Sequence, residues 1–556
     1  MWVITQDQER LCSVQTLDFN QADFTIMKAI KICAIALVLL SAGACKKSFL
    51  DTEPITSVTD ENFYKTPKDA YAALVGCYDG LQIVWSEGVS LPVAAEVMSD
   101  NTFGGGGASD GYNYQMIDEF DKNRSPSDQN LYERNWILYY KALYRCNMLL
   151  SKMEQIQWGD DTTSKLAYES EARFLRAYLL FDMVRLWGNI PLLTAASAEA
   201  VPQANPDEVY KVIAEDLKFA AENMPAVTYA AQPLTQRGRA TKYAAESLLG
   251  RVYLYYTGYY GKADLVGVVT KAQALTYLED VISKSGHGLV EDFANLWPAA
   301  SLGNYAKEDN KETVFAIKYT YTSDYNGNTD GNHWMIMGGM REQAIYPYAN
   351  GWGFETVNPK LWNAYPANDT RKVASIISIV DEKLPFTNQS KAREYTGYYT
   401  KKYSPMVTED GKPLPESYGN TNFQIAQFQD YVSIRYADVL LMAAELGSAN
   451  AQTYFDQVRQ RALKDAFTPL TATLDNIIKE RRLEFAFEGI RYYDLLRQGV
   501  NRAAQQIAES TTVLNGGVST QKTIAAANII ATQGLQQIPY NQINLANGTL
   551  KQNPGW

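Results

Sequence analysis

Residues 480–499 read Glu480-Arg481-Arg482-Leu483-Glu484-Phe485-Ala486-Phe487-Glu488-Gly489-Ile490-Arg491-Tyr492-Tyr493-Asp494-Leu495-Leu496-Arg497-Gln498-Gly499. Together with Ile478, the apolar residues Leu483, Phe487 and Ile490 recur at helical spacing and predict one buried face. Arg481 with Glu484, and Glu488 with Arg491, are spaced to pair along a helix surface. Gly489 is expected to interrupt and kink that helix, because glycine costs a helix about 1 kcal/mol relative to alanine. Gly499 would close a second, shorter helix. Glu484, Glu488 and Asp494 could form an acid/base set. They could equally be matched by Arg481, Arg482, Arg491 and Arg497 in a buried ion-pair lattice. The lattice is favoured: the charges nearly balance, no His or Cys stands nearby, and ionised groups are buried mainly when paired.

Around this stretch lies a 556-residue chain with 46% hydrophobic and 20% charged residues, enough to bury a substantial core. Its formal net charge of −11 argues against nucleic acid or an anionic lipid face as the main partner. Only His287 and His333 are present, so a histidine-rich metal site or a Ser-His-Asp triad has little support. The 38 Tyr and 10 Trp exceed what cores require and suit recognition surfaces.

The run ending at Gly499 resembles the C-terminal block of the SusD/RagB family, the glycan-binding lipoproteins of Bacteroidetes. Other blocks in the same order carry the resemblance: Phe49-Leu50-Asp51 with Pro54; Ala172-Arg173-Phe174-Leu175-Arg176-Ala177 through Pro191-Leu192; Arg435-Tyr436-Ala437-Asp438-Val439-Leu440-Leu441-Met442; and the tail Ile538-Pro539 to Gln552-Asn553-Pro554-Gly555-Trp556. The resemblance implies an all-α body of tetratricopeptide-like helical hairpins, no enzymatic activity, and a SusC-like TonB-dependent transporter as partner. It also implies an outer-membrane position facing the cell surface, though Lys46-Lys47 differs from the acidic residues often found after the lipidated Cys of surface-exported members.

The N-terminal segment reads as an address. Met27-Lys28-Ala29-Ile30-Lys31 supplies positive charge, Ile32 to Leu40 is apolar but too short to span a bilayer, and Ser41-Ala42-Gly43-Ala44-Cys45 resembles a lipobox. Residues 1–44 are therefore expected to be a signal segment, with 1–26 a mis-assigned start. Cys45 is expected to carry lipid, and 45–58 to form the anchor and tether. Cys77 and Cys146 then remain, and their spacing does not decide whether they pair.

Helical periodicity predicts 59–286 as an N-terminal helical body. Its helices are Thr59–Gln82 with Thr66 as N-cap before Pro67, Leu131–Met153, Leu166–Trp187 ended by Gly188, Pro206–Met224, Thr241–Tyr256 and Ala272–Ser283. Within Leu249-Gly250-Arg251-Val252-Tyr253, Gly250 is expected to admit a neighbouring helix. Tyr431–Glu445 and Ala451–Leu463 read as a further helix pair, opening a C-terminal part, 431–556, of the same domain.

Between them, 287–430 loses helical periodicity and reads as a loop-rich insert. Trp334, Trp352, Trp362 and ten of the Tyr fall between Tyr319 and Tyr403. Long loops on a rigid scaffold are common binding surfaces, and flat rings suit the C–H faces of sugars. Trp352, between Gly351 and Gly353, and Trp334 are the leading candidates, followed by Tyr321 and Tyr325. The family resemblance adds Asp100, Asn101 and Trp85; the first two lie in an early loop, Glu96–Tyr114, whose run Gly104-Gly105-Gly106-Gly107 lacks phosphate-loop residues and reads as a mobile turn. His333 reads as a hydrogen-bonding loop residue. The reading that follows is capture of oligosaccharide and its delivery to the transporter. The same scaffold could take a peptide or another nutrient. A glycoside hydrolase would need two facing carboxylates, for which Asp324, Asp330, Glu342 and Glu355 are candidates. No cofactor or metal is required, and a supporting role for Ca²⁺ in the loops is left open.

Overall fold

The chain builds a helical scaffold because each helix offers an apolar stripe that the next one covers. The computed structural model describes residues 63–124, 130–196 and 201–556, of which Tyr64–Trp556 form one contact unit. The expected signal segment, Cys45 and the tether lie outside the described residues. The body consists of α1 (Pro67–Ser86), α2 (Leu91–Val97), α3 (Asn113–Glu119), α4 (Glu133–Lys152), α5 (Thr162–Trp187), α6 (Pro206–Asn223), α7 (Lys242–Tyr260) and α8 (Lys271–Lys284). Later come α9 (Tyr436–Glu445), α10 (Ala451–Leu463), α11 (Leu474–Glu484), α12 (Arg491–Leu496) and α13 (Val500–Ile507). Helix α1 packs on α4, α4 on α5, and the sequence continues through α6, α7, α8, α9 and α10, each on the one before. This is the expected series of tetratricopeptide-like hairpins.

Local chemistry sets the helix starts. Thr66 and Asp69 form a capping box in front of Pro67, Asn205 and Glu208 do so for α6, and Thr270 and Gln273 for α8. Helix α5 is buried around most of its circumference from Ser170 to Trp187, so it is the central element rather than a one-sided one. At Gly250 a Cβ would come within 2.7 Å of Leu278, which is why α7 and α8 approach so closely. Cys77 on α1 and Cys146 on α4 are buried free thiols.

Three expectations change. Residues Tyr431–Arg435 are a strand, antiparallel to Thr313–Ile317, and the helix starts only at Tyr436. The alternation Tyr-Val-Ser-Ile-Arg has β period, and it runs directly into a helical pattern. Helix α11 stops at Glu484 rather than continuing to a kink at Gly489; Phe487 and Gly489 both take positive φ, +68° and +69°, in the turn that follows. The Gly104–Gly107 run is not a loose turn. Thr102–Gly104 pairs with Glu355–Val357, and Gly106–Gly107 with Ala392–Arg393. A Cβ on Gly104 or Gly105 would lie 2.3 Å from Tyr114 O or 2.2 Å from Gly353 O, so both positions require glycine for close backbone contact.

These short ladders tie the early loop to the insert. A further one joins Ile376–Ser378 to Tyr398–Thr400. The insert has its own core of Met340, Tyr348, Ile377, Phe386, Tyr395 and Tyr399. Several of its tyrosines are thus structural, which leaves fewer for a surface. Among the described residues no helix is long and apolar enough to cross a membrane.

Candidate functional site

The charged block at 480–499 is an ion-pair lattice. Glu484 is fully buried; it accepts from Arg371 Nη1 and Arg435 Nη1, each at 3.0 Å, and from Arg461. Glu488 accepts from Lys402 Nζ at 2.7 Å and from Arg435 at 2.8 and 2.9 Å. Arg481 donates to Asp494 Oδ2 at 2.7 Å and also to Asp438. Burial alone would raise the Glu484 carboxyl, but Arg461, Arg435 and Arg371 hold it well below its ordinary range. The expected helix-surface pairs Arg481–Glu484 and Glu488–Arg491 do not form. Each partner reaches across the fold instead, because the chain leaves the helix at Glu484 and the side chains point inward.

Asp100 and Asn101 belong to this lattice rather than to a surface. Arg491 donates to both Asp100 oxygens at 2.7 and 3.0 Å. Asn101 accepts from Arg482 Nε at 2.9 Å and donates to Glu96 at 3.2 Å. Trp85 is buried and stacked on Tyr431 at 4.6 Å, and Trp334 packs on Tyr403 at 4.8 Å. These four side chains are buried. Their partners are distant in sequence, Tyr431, Arg482 and Arg491 for the first three and Tyr403 within the insert for Trp334, which local sequence could not reveal.

The remaining three candidates are at least partly exposed, and one of them, Tyr325, lines a cleft of about 300 Å³ together with Glu87, Ser323, Asp324, Asn328 and His333 among others. Loop 320–330 folds on itself. Thr320 N–H donates to Asp330 O at 2.8 Å, and Asp324 Oδ1 accepts from the N–H groups of Asn326 and Asn328 at 2.8 and 3.2 Å. Asn420 fastens it from outside, donating to Tyr321 O at 2.6 Å and to Ser323 O at 2.8 Å. This frame holds Tyr325 out, 70% exposed. Tyr321 is exposed beside Tyr418 (5.1 Å between ring centroids) and Phe428 (5.8 Å).

Trp352 is half-buried. Its ring meets His333 edge-on at 5.3 Å and lies 5.5 Å from Phe354. Its backbone is clamped, N–H to Ile336 O at 2.7 Å and O from Arg341 Nη1 at 3.0 Å. Gly351 is needed because a Cβ there would lie 2.4 Å from Gly339 Cα; the flanking glycines serve backbone packing as well as ring access. His333 is held neutral, since burial lowers its imidazole pKa.

Tyr418, Phe428 and Glu87 escaped the sequence reading. Tyr418 lies in Pro-Glu-Ser-Tyr-Gly-Asn, the same turn chemistry as the rest of the insert, and that composition was the available signal. Of the four carboxylates weighed for hydrolysis, only Asp324 lines the cleft. Glu355 is buried beneath Trp334, its carboxyl pushed well up by burial and by Glu96. Glu342 is paired with Arg341 at 2.7 Å. Among the described residues no group of three or more His, Cys, Asp or Glu is placed to hold a metal ion.

Two family models match the chain: the SusD family over residues 382–556 and "Starch-binding associating with outer membrane" over 93–254. A SusD-like protein of Formosa agariphila is 26% identical over 520 residues, covering 85% of this chain and 91% of the relative. Among solved structures, surface glycan-binding protein A from Bacteroides fluxus matches with a TM-score of 0.73 at 25% identity, over 88% of this chain and all of that one. A laminarin-binding SusD-like protein matches with a TM-score of 0.68 at 28% identity, over 89% of this chain and all of that one. With the stacked hairpins, the C-terminal lattice and the tail all in place, the chain belongs to the SusD/RagB family.

Proposed function

We propose that this protein captures oligosaccharide without chemical conversion and passes it to a SusC-like TonB-dependent transporter, held at the outer membrane by lipid on Cys45. The observation that carries the capture step is the set of aromatic rings the insert leaves accessible: Tyr325 exposed at the cleft, the exposed pair Tyr321 and Tyr418, and half-buried Trp352 against the cleft-lining His333. Aromatic faces cover the apolar faces of sugar rings, while Asp324 and the His333 imidazole offer partners to the hydroxyls. Similarity to a surface glycan-binding protein and to a laminarin-binding SusD-like protein supports the same ligand class.

Calorimetric titration against plant, fungal and host oligosaccharides tests this reading. A saccharide that binds the wild type and is lost in Tyr325→Ala and Trp352→Ala supports it. Release of product from a polysaccharide by the pure protein would contradict the non-enzymatic part. Isolation of the lipoprotein from membranes with no large β-barrel partner would contradict delivery.

A further inference from the structure

The charges around the cleft bear on which saccharides fit, provided the cleft is the glycan site. We infer that it takes uncharged saccharides and excludes those bearing carboxylate or sulfate groups. None of the described residues lining it is Lys or Arg. Its charged lining residues are the carboxylates of Glu87 and Asp324. Glu87 is paired with the half-exposed Arg134, whose Nε donates at 2.6 Å, so that arginine faces a protein carboxylate. Asp324 spends Oδ1 on the N–H groups of Asn326 and Asn328, which leaves Oδ2 and the net negative charge to the cleft.

Arg341, whose Nη1 donates to the Trp352 backbone oxygen, is also paired with carboxylates. Its side chain is 11% exposed and is bound to Glu342 at 2.7 Å and Asp110 at 3.5 Å. His333 is the remaining group that could carry positive charge, and its burial opposes protonation. A sugar carboxylate or sulfate entering here would lose water, meet Asp324, and find no free cation to replace its hydration. Sugar hydroxyls face no such cost, because Asp324 Oδ2 and the imidazole accept or donate single hydrogen bonds.

Affinity electrophoresis through gels containing either uncharged β-glucans and xylans or polygalacturonate, alginate and sulfated galactan tests this. The proteins compared are the wild type, Tyr325→Ala, Asp324→Lys and Thr329→Lys, the last preserving the Asp324 turn. The expected result is retardation by at least one uncharged polymer, insensitive to salt and lost in Tyr325→Ala, with no retardation by the anionic ones. Either lysine variant should raise affinity for polyuronate roughly tenfold at low salt, and added salt should screen the gain. Wild-type binding to an anionic polymer that is lost in Tyr325→Ala overturns the charge inference and leaves capture standing. Binding to no saccharide in either set removes the capture reading, and the inference falls with it.

Discussion

Glu484 concentrates the physical logic of the fold in one side chain. It is acceptor to three arginines with no exposure to solvent. A buried charge cluster adds little over an apolar replacement, yet removing one member strands the others. Glu484→Gln or Arg435→Met should therefore cost about 3–5 kcal/mol, read as a lower urea midpoint with unchanged slope. The pH response has a definite sign. Glu484 and Asp438 both titrate below their ordinary values in the folded state, despite burial, because arginines surround them. The unfolded chain thus binds more protons as pH falls through the ordinary carboxylate range. The stability these two groups contribute is full above that range and is lost as pH falls towards their folded-state values. Urea midpoints that stay constant from neutral pH to well below pH 4 would contradict this.

At the scale of elements, the hairpin stack depends on close approach at a few small residues. Gly250→Val would drive a branched side chain into Leu278 and should destabilise by about 1–3 kcal/mol, measured by thermal or urea unfolding. The two thiols between α1 and α4 are buried, so Cys77 and Cys146 should resist a thiol reagent in the native protein and react fully in denaturant. Rapid native labelling would show that this helix pair opens. Periodicity made the helices legible because a 3.6-residue repeat persists over three or more turns in α4, α5 and α7. It failed where signals overlap: at Tyr431–Arg435 a short β alternation merges into α9, and after Glu484 the apolar spacing continues although the backbone turns. The candidate surface was half legible. Tyr321, Tyr325 and Trp352 lie in loops whose Gly and Asn content marks exposure. Asp100, Asn101, Trp85 and Trp334 are enclosed by partners hundreds of residues away or across the insert, and no local pattern carries that information.

For the molecule as a whole, the helical body is the base, and the insert, paired with the early loop, lies against it. The lattice at 480–499 joins the two, linking Arg371 and Lys402 of the insert and Asp100 of the early loop to Glu484, Glu488 and Arg491. Loop 320–330 is bound mainly to itself and to Asn420, so changing its outward ring should leave the fold intact. Tyr325→Ala should unfold at the same temperature as the wild type to within the usual range for surface substitutions, about 0.5 kcal/mol, while losing ligand. The most direct measurement is calorimetric titration of the fragment beginning at Lys46 with an uncharged oligosaccharide panel, in wild type and in Tyr325→Ala. The account predicts a saturable heat with the wild type, and its loss of at least about 1.4 kcal/mol of affinity, a factor of ten, in the variant. Equal binding by both proteins, or none by either across the panel, would contradict it.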